Sequence, residues 1–434
     1  MASFNNTVKN WLIYLFPLVF VSFSACIRDH RKANLNNDGG ISYLLQVSIK
    51  DIIKANTIGG YEVVDSVLKS VDSIENSSNG TFIEIFVTEL YRHPSISTVQ
   101  FQDLKKEASA QECQHYITKK TNEATEKTRE ILLKRIDMHG IENPSVQYTG
   151  NNGRIIVELP GMKPDERLEK LLLAPGKLEF WETYDNAEIG PILIEANELL
   201  KGFSASKSDS TSKELKNDST KSLEEQIAII KQINNDLQEK MENTLFGRLA
   251  PSTTPSNEGL ILSTGATVGY ASAEDTVFIM RSLLQPEIWK LFPENLHLAW
   301  SSKPIDQEGV TFQLIALKST SRAQGAAMTG DIIKHAKKDM RDGPLFITME
   351  MTEAADDDWS VLTRNNINKS IAIVIDNKVL SYPTVQGEIR GGISSITGNF
   401  TQEEADDFAT ILNSGCLPAS VSLLKEKTVL PLNQ

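Results

Sequence analysis

The spacing of hydrophobic residues changes period several times along the chain, and each change marks an element. From Gly39, GGISYLLQVSI is a short, nearly continuous apolar run after a glycine pair, which predicts a buried strand. TEKTREILLKRIDMHG switches to helical spacing, with Leu132 and Ile136 on one face, Arg135 near the end and Gly140 as the stop. PSVQYTGNNGRIIVELPG predicts a hairpin, because Asn152-Gly153 supplies the positive φ angles of a tight turn between two strand-like runs. KPDERLEKLLLAPGKLEFWETY then predicts a helix with Pro164 in its first turn, followed by a closing strand. The order β-α-β-β-α-β is the split arrangement of a ferredoxin-like α+β layer.

Between the first strand and first helix lies a mostly helical insertion at about 52–118, with NSSNGT as a turn. Residues 202–222, GFSASKSDSTSKELKNDSTKS, hold too little apolar surface to offset the entropy of ordering them, so a disordered loop is expected. SLEEQIAIIKQINNDLQEKMENTLF reads as an amphipathic helix packed on the same domain. In the last third, Leu345, Ile347, Met349 and Met351 alternate on one strand face, and Ala355, Trp359 and Leu362 turn inward from a helix. KSIAIVIDNKVLSYP is a hairpin turning at Asp376, Asn377 and Lys378. Thr401 and Glu404 form a capping box for a helix carrying Ala405, Phe408, Ala409 and Leu412 inward, stopped by Gly415 and Pro418. SVSLLKEKTV ends the fold as a returning strand.

The chain has 434 residues, 40% of them hydrophobic, and a formal net charge of −13. No basic block stands out, so nucleic acid is not an expected partner. Residues 11–25, WLIYLFPLVFVSFSA, are uncharged and apolar, too short for an untilted span of about 20 residues but suited to a secretory signal. Ser24 and Ala25 precede Cys26 at the end of this run, the pattern of a lipoprotein signal acylated at Cys26; a short uncleaved anchor is the alternative. Both put the rest of the chain across a membrane. Cys113 and Cys416 leave a single disulfide open as an option and give no framework. Six scattered histidines offer no ligand cluster, so no metal or other cofactor is expected. No enzyme is expected either. Asp356, Asp357 and Asp358 sit where acidic side chains favour a helix start, Glu350 and Glu353 lack a nucleophile or histidine nearby, and GEIRGGIS is a loop and not a phosphate cradle.

TREILLKRID, RIIVELPGM with KLEFWETY, NINKSIAIVIDNKVLSYP and, above all, GGISSITGNFTQEEADDFATILNSGCLPA resemble SecD of the bacterial SecDF export complex, over roughly residues 38–429. FWETYDNAEIGP and VGYASAEDT look most like versions from Bacteroidetes-type bacteria. The resemblance implies a first periplasmic domain in which a ferredoxin-like base carries a second α+β head, with a helical, partly disordered insertion. The expected division is 1–26 signal or anchor; 38–185 base, completed by a returning strand at 419–429; 186–259 linker or insert; and 260–416 head. Expected partners are unfolded secreted polypeptides, Sec translocase components and the membrane through the N-terminus. A structural or regulatory lipoprotein that kept the fold and docks on a partner is the other reading. In the head, Gly391, Gly392, Gly398, Asn399, Phe400, Gly415 and Pro418 would set a hinge. Two departures accompany the match. The family continues beyond the point where this sequence ends into membrane helices that couple to protons, so this chain is not expected to conduct protons. Its D-L-K-G-G signature stands here as Asn36-Asn37-Asp38-Gly39-Gly40, which removes one carboxylate and reverses one charge.

Overall fold

The computed structural model of the protein describes residues 35, 39–74, 80–150, 152–208, 244–257, 259–320, 325–340, 345–398 and 400–430. The expected signal over 1–26 with Cys26, the altered positions Asn36 and Asp38, Asn399, and the expected loop and helix over 209–243 lie outside these residues. The fold is α+β.

β1 (Gly40–Val47) buries Ile41, Tyr43, Leu45 and Val47 on one face. The helical insertion follows as α1 (Ile49–Ala55), β2 (Thr57–Gly59), α2 (Tyr61–Ile74), α3 (Phe82–Arg92) and β3 (Gln100–Phe101). It has its own core around Val67, Val71, Phe86 and Leu90. α4 (Ala110–Met138) starts at a Ser109–Glu112 capping box, so the insertion boundary expected at 118 falls inside a continuous 29-residue helix. Its first turns place Cys113, Tyr116 and Ile117 in the insertion core, and its last turns place Ile131, Leu132 and Ile136 against β1. One helix therefore belongs to two cores.

β4 (Ser145–Tyr148) and β5 (Arg154–Pro160) form the expected hairpin, but Tyr148 pairs with Ile155 and Thr149 N–H donates to Arg154 O, so the loop is wider than a two-residue turn. α5 (Glu166–Leu173) is capped by Asp165, whose carboxylate accepts from Arg167 and Leu168 N–H; Pro164 precedes the cap and is not in the first turn. The larger correction concerns the closing strand. β6 (Leu178–Thr183) leaves this sheet, which is closed instead by the expected returning strand alone, Val421–Val429, paired antiparallel with β1. Leu178, Glu179, Phe180 and Trp181 are all buried, so β6 needs cover on both faces, which an outer strand of a half-covered sheet lacks.

β6 instead joins an eight-stranded sheet. α6 (Asn186–Ser208) follows it, continuing through residues expected to be loop and burying Ile189, Leu193 and Ala196, so this part of the expected linker is helical and its first turns are core. Next come α7 (Leu245–Arg248), β7 (Ala250–Pro251), the ribbon β8 (Thr253–Ser256) and β9 (Gly259–Leu262), and β10 (Thr267–Ser272). α8 (Thr276–Leu283), α9 (Pro286–Trp289), β11 (Leu296–Trp300), β12 (Thr311–Lys318) and β13 (Met328–Thr329) complete this stretch.

A three-stranded sheet packs on the large one. β14 (Ile333–Met340) and β15 (Leu345–Met351) lead to α10 (Glu353–Asn365), after which β16 (Ile371–Ile375) and β17 (Lys378–Ser381) return to the large sheet. Asp376 and Asn377 take φ of 50° and 64° at that turn, as expected of a tight hairpin. β18 (Ile393–Thr397) pairs with β15, α11 (Gln402–Ser414) carries the expected capping box and Gly415 stop, and β19 (Val421–Val429) returns to the four-stranded sheet, ordered β19-β1-β5-β4. Cys113 and Cys416 are both free thiols.

Candidate functional site

β18 is entered through two consecutive left-handed glycines. Gly391 and Gly392 have φ of 81° and 62°, a conformation that side chains with a Cβ rarely adopt, and they turn the chain from the 383–390 loop into the strand. Met351 N–H donates to Gly392 O at 2.7 Å, which fixes the pairing phase. By antiparallel alternation, Ser394 and Ile396 bond to β15, while the backbone groups of Ile393, Ser395 and Thr397 point away from it. No partner for those outward groups occurs among the described residues.

Beside this edge lies a cleft of about 390 Å³. Its floor is Phe180, Met349, Trp359, Ile371 and Ile373, and its far wall is the loop at 383–389. No charged side chain lines it. Trp359 holds the floor in place: its ring meets Phe180 edge-on at 5.0 Å, and its indole N–H donates to Ser394 Oγ at 3.0 Å. The loop is pinned by Thr363 Oγ1, which accepts from Ile389 N–H at 3.0 Å, and by Glu388, which accepts from Ser360 Oγ at 2.6 Å and Arg390 Nη2 at 2.8 Å. The hydrogen bonds to Arg390 and then Ser360 lower the Glu388 carboxyl to about 2, so the pin holds at neutral pH.

A second cluster lies where the chain crosses between the four-stranded layer and the rest. Arg135, on the α4 face with Leu132 and Ile136, is fully buried. Its Nη1 donates to Leu171, Leu172 and Ala174 carbonyls at 2.8, 3.2 and 2.5 Å; Nε donates to Ser414 Oγ at 3.1 Å and Nη2 to Gly415 O at 3.3 Å. These acceptors sit at the C-terminal ends of α5 and α11, where helices leave carbonyls unbonded and partly negative. Two helix ends thus solvate one buried cation. Burial lowers its pKa to about 10, so it stays charged at neutral pH.

The two crossing connections touch beside it. Leu417 N–H donates to Pro175 O at 2.8 Å, and Asp376 accepts from Gly176 and Lys177 N–H at 3.3 and 2.9 Å. Gly176 has φ of 75°, and a Cβ there would stand 2.7 Å from Ile411 Cγ2. Further along α5, Arg167 makes a two-pronged pair with Asp407 of α11, both bonds at 2.9 Å.

The residues singled out from sequence fall into separate places. Gly391 and Gly392 enter β18, Gly398 and Phe400 lie just beyond its other end, and Gly415 joins the Arg135 cluster with Pro418 three residues on. Phe400 stacks on Phe408 at 5.9 Å under the Lys303 ammonium. Gly39 and Gly40 open β1; at Gly40 a Cβ would lie 2.4 Å from Leu159 O, so only glycine fits. Sequence reasoning missed the cleft, and it placed Arg135 without giving it a role. The signal was a cation inside an apolar helical stripe. Among the described residues no group of three histidine, cysteine or acidic side chains could hold a metal, and no helix is long and apolar enough to cross a membrane.

Residues 313–419 match the family model of the SecDF P1 head subdomain, and residues 125–185 match that of the N-terminal part of the P1 domain of protein translocase subunit SecDF. Both matches are to parts of the SecD P1 domain, which this chain resembles. The head match takes in β18, all but one residue of the cleft lining, and α11; the N-terminal match takes in Arg135, Arg167 and Gly176. Protein translocase subunit SecD of Rhodothermus marinus is 28% identical over 412 residues, covering 92% of this chain and 62% of that protein. SecD of Rickettsia conorii is 50% identical over 70 residues, covering 16% of this chain and 14% of that protein. The chain therefore spans less than two thirds of the length of either relative. Among solved structures, SecDF in its super-membrane-facing form is 18% identical, with 91% of this chain and 31% of that chain covered at a TM-score of 0.41. A SecDF described as a membrane component that enhances protein export is 22% identical, with 70% of this chain and 92% of that chain covered at a TM-score of 0.37.

Proposed function

We propose that this P1 domain serves Sec-dependent export by holding extended, translocating polypeptide without turning it over. The observation that carries the reading is the uncharged, largely apolar cleft within the region matched by the P1 head model, on a chain whose net charge is −13. A cleft of that kind suits apolar side chains of an unfolded chain and offers nothing to a nucleotide or metal. The junction at Arg135 supports the same reading, because a head that receives a moving chain must be held on its base at a defined angle. Gly415 and Pro418 shape that connection, while Gly391, Gly392, Gly398 and Phe400 frame β18. Affinity is modest, since an unfolded partner loses conformational freedom on binding.

We place the domain on the periplasmic side of the inner membrane, anchored through acylated Cys26. Intact-mass analysis of the membrane fraction then finds cleavage before Cys26 with added acyl mass; an unmodified mature N-terminus removes the anchor from the account. For the function itself, a photo-crosslinker at Gln386, on the cleft wall, captures many secreted chains in cells, and one at Glu166, on α5, does not. Capture of one constant folded partner from both positions replaces the reading with a docking role.

A further inference from the structure

We infer that the polypeptide held by this cleft adds to the sheet as a fourth strand along the free edge of β18, with every second side chain entering the cleft. The inference rests on the polypeptide-binding reading and specifies its mode. Exposed edges normally carry protection against pairing: charge, proline, a bulge, or a covering side chain. The opposite edge of the same sheet has three of these. β14 presents Lys334, His335, Lys337 and Lys338, it is bulged between Ile333 and His335, and the Asn413 amide clamps both the N–H and the C=O of Ala336 at 2.8 and 2.6 Å. The outer strand β19 of the four-stranded sheet carries Lys425, Glu426 and Lys427, and its pairing shifts register beside Leu44.

β18 has none of these. Its sequence, ISSIT, contains no charge and no proline, and its pairing with β15 runs without a register shift. The unbonded N–H and C=O groups of Ile393, Ser395 and Thr397 repeat every second residue, about 6.6 to 6.8 Å apart, which is the spacing of an extended chain's own backbone groups. That repeat identifies the occupant as an extended polypeptide, because a small apolar molecule would leave those groups unpaired.

The occupant's side-chain pattern follows from the pleat. Side chains on the face shared with Ser394 and Ile396 point toward Met349 and Trp359, where no charge lines the wall, so these positions take uncharged apolar groups. Side chains on the other face stand beside Ile393, Ser395 and Thr397, which are exposed, so polar groups are accepted there. The ligand is therefore an extended segment of alternating apolar and polar residues.

The test uses the full chain and labelled eight-residue peptides that alternate leucine and serine, read by fluorescence anisotropy. Two N-methylated versions block alternate amides, one blocking the amides that face β18 and the other those that face away. The edge-facing version and the variant Ser395→Pro each bind at least about tenfold more weakly, while the outward-facing version binds like the parent. Ser395→Pro leaves the sheet intact, because the N–H it removes is not bonded to β15. Equal binding by all peptides and by the variant overturns strand addition and leaves the capture reading standing. A block-ordered peptide of the same composition that binds as tightly as the alternating one also overturns it. Failure of every peptide to bind overturns capture itself.

Discussion

Replacing Arg135 by methionine removes five hydrogen bonds while leaving their acceptors in place: the carbonyls of Leu171, Leu172, Ala174 and Gly415 and the Ser414 hydroxyl. Two effects oppose each other. Methionine avoids desolvating a guanidinium, a cost visible in the pKa lowered to about 10, and exchanges of buried charge for apolar volume are sometimes neutral or favourable when both partners are replaced. Here only one side is replaced, and each stranded buried acceptor costs about 1–3 kcal/mol, less where a helix bond or water remains. Losses within one network are not additive, so the net expectation for Arg135→Met is about 3–5 kcal/mol of destabilisation, a large part of a typical total of about 5–15 kcal/mol. Arg135→Lys keeps the charge but cannot reach both helix ends with one ammonium, and loses about 1–3 kcal/mol. Urea unfolding of both variants measures this, with amide hydrogen exchange at 411–417 as the local reading. A methionine variant as stable as the parent, with unchanged exchange at 411–417, refutes the assignment of Arg135 as the group that holds the two helix ends.

At the same junction, Gly176→Ala forces a Cβ into a residue with φ of 75° and 2.7 Å from Ile411, and costs about 1–3 kcal/mol in urea unfolding. The half-buried Arg167–Asp407 pair is worth about 1 kcal/mol in a double-mutant cycle with alanine, its modest size following from partial exposure. Glu388 is a carboxyl with a lowered folded pKa, so its contribution is fully present above the unfolded value of about 4.3 and is lost as pH falls through about 2. A side-chain NMR titration finds Glu388 ionised at pH 4, and Ser360→Ala raises its midpoint.

Local patterns were legible where one element decides them. Thr401 and Glu404 cap α11 as read, and the alternation of Leu345 through Met351 matches β15, with Ile347, Met349 and Met351 inward. The error at β6 came from assigning the nearest strand in sequence to the sheet as well; the returning strand expected at 419–429 is the one that pairs with β1. A clue was present: LEFW has no polar face except Glu179, which a strand covered on both sides requires and an outer strand of a half-covered sheet does not. Glu179 is itself buried against Lys177 and the Trp181 indole. The cleft was beyond sequence reading, because its lining comes from β6, β15, α10, β16, the 383–389 loop and β18, segments adjacent only after folding.

The central claim is that the β18 cleft receives extended polypeptide. Hydrogen–deuterium exchange of the full chain, with and without a saturating unfolded secretory polypeptide, tests it most directly. The account predicts new protection at 393–397 and in the 383–389 loop, with α5 at 166–173 unchanged. Protection confined to α5 or the helical insertion, with exchange at 393–397 untouched by the bound polypeptide, contradicts it.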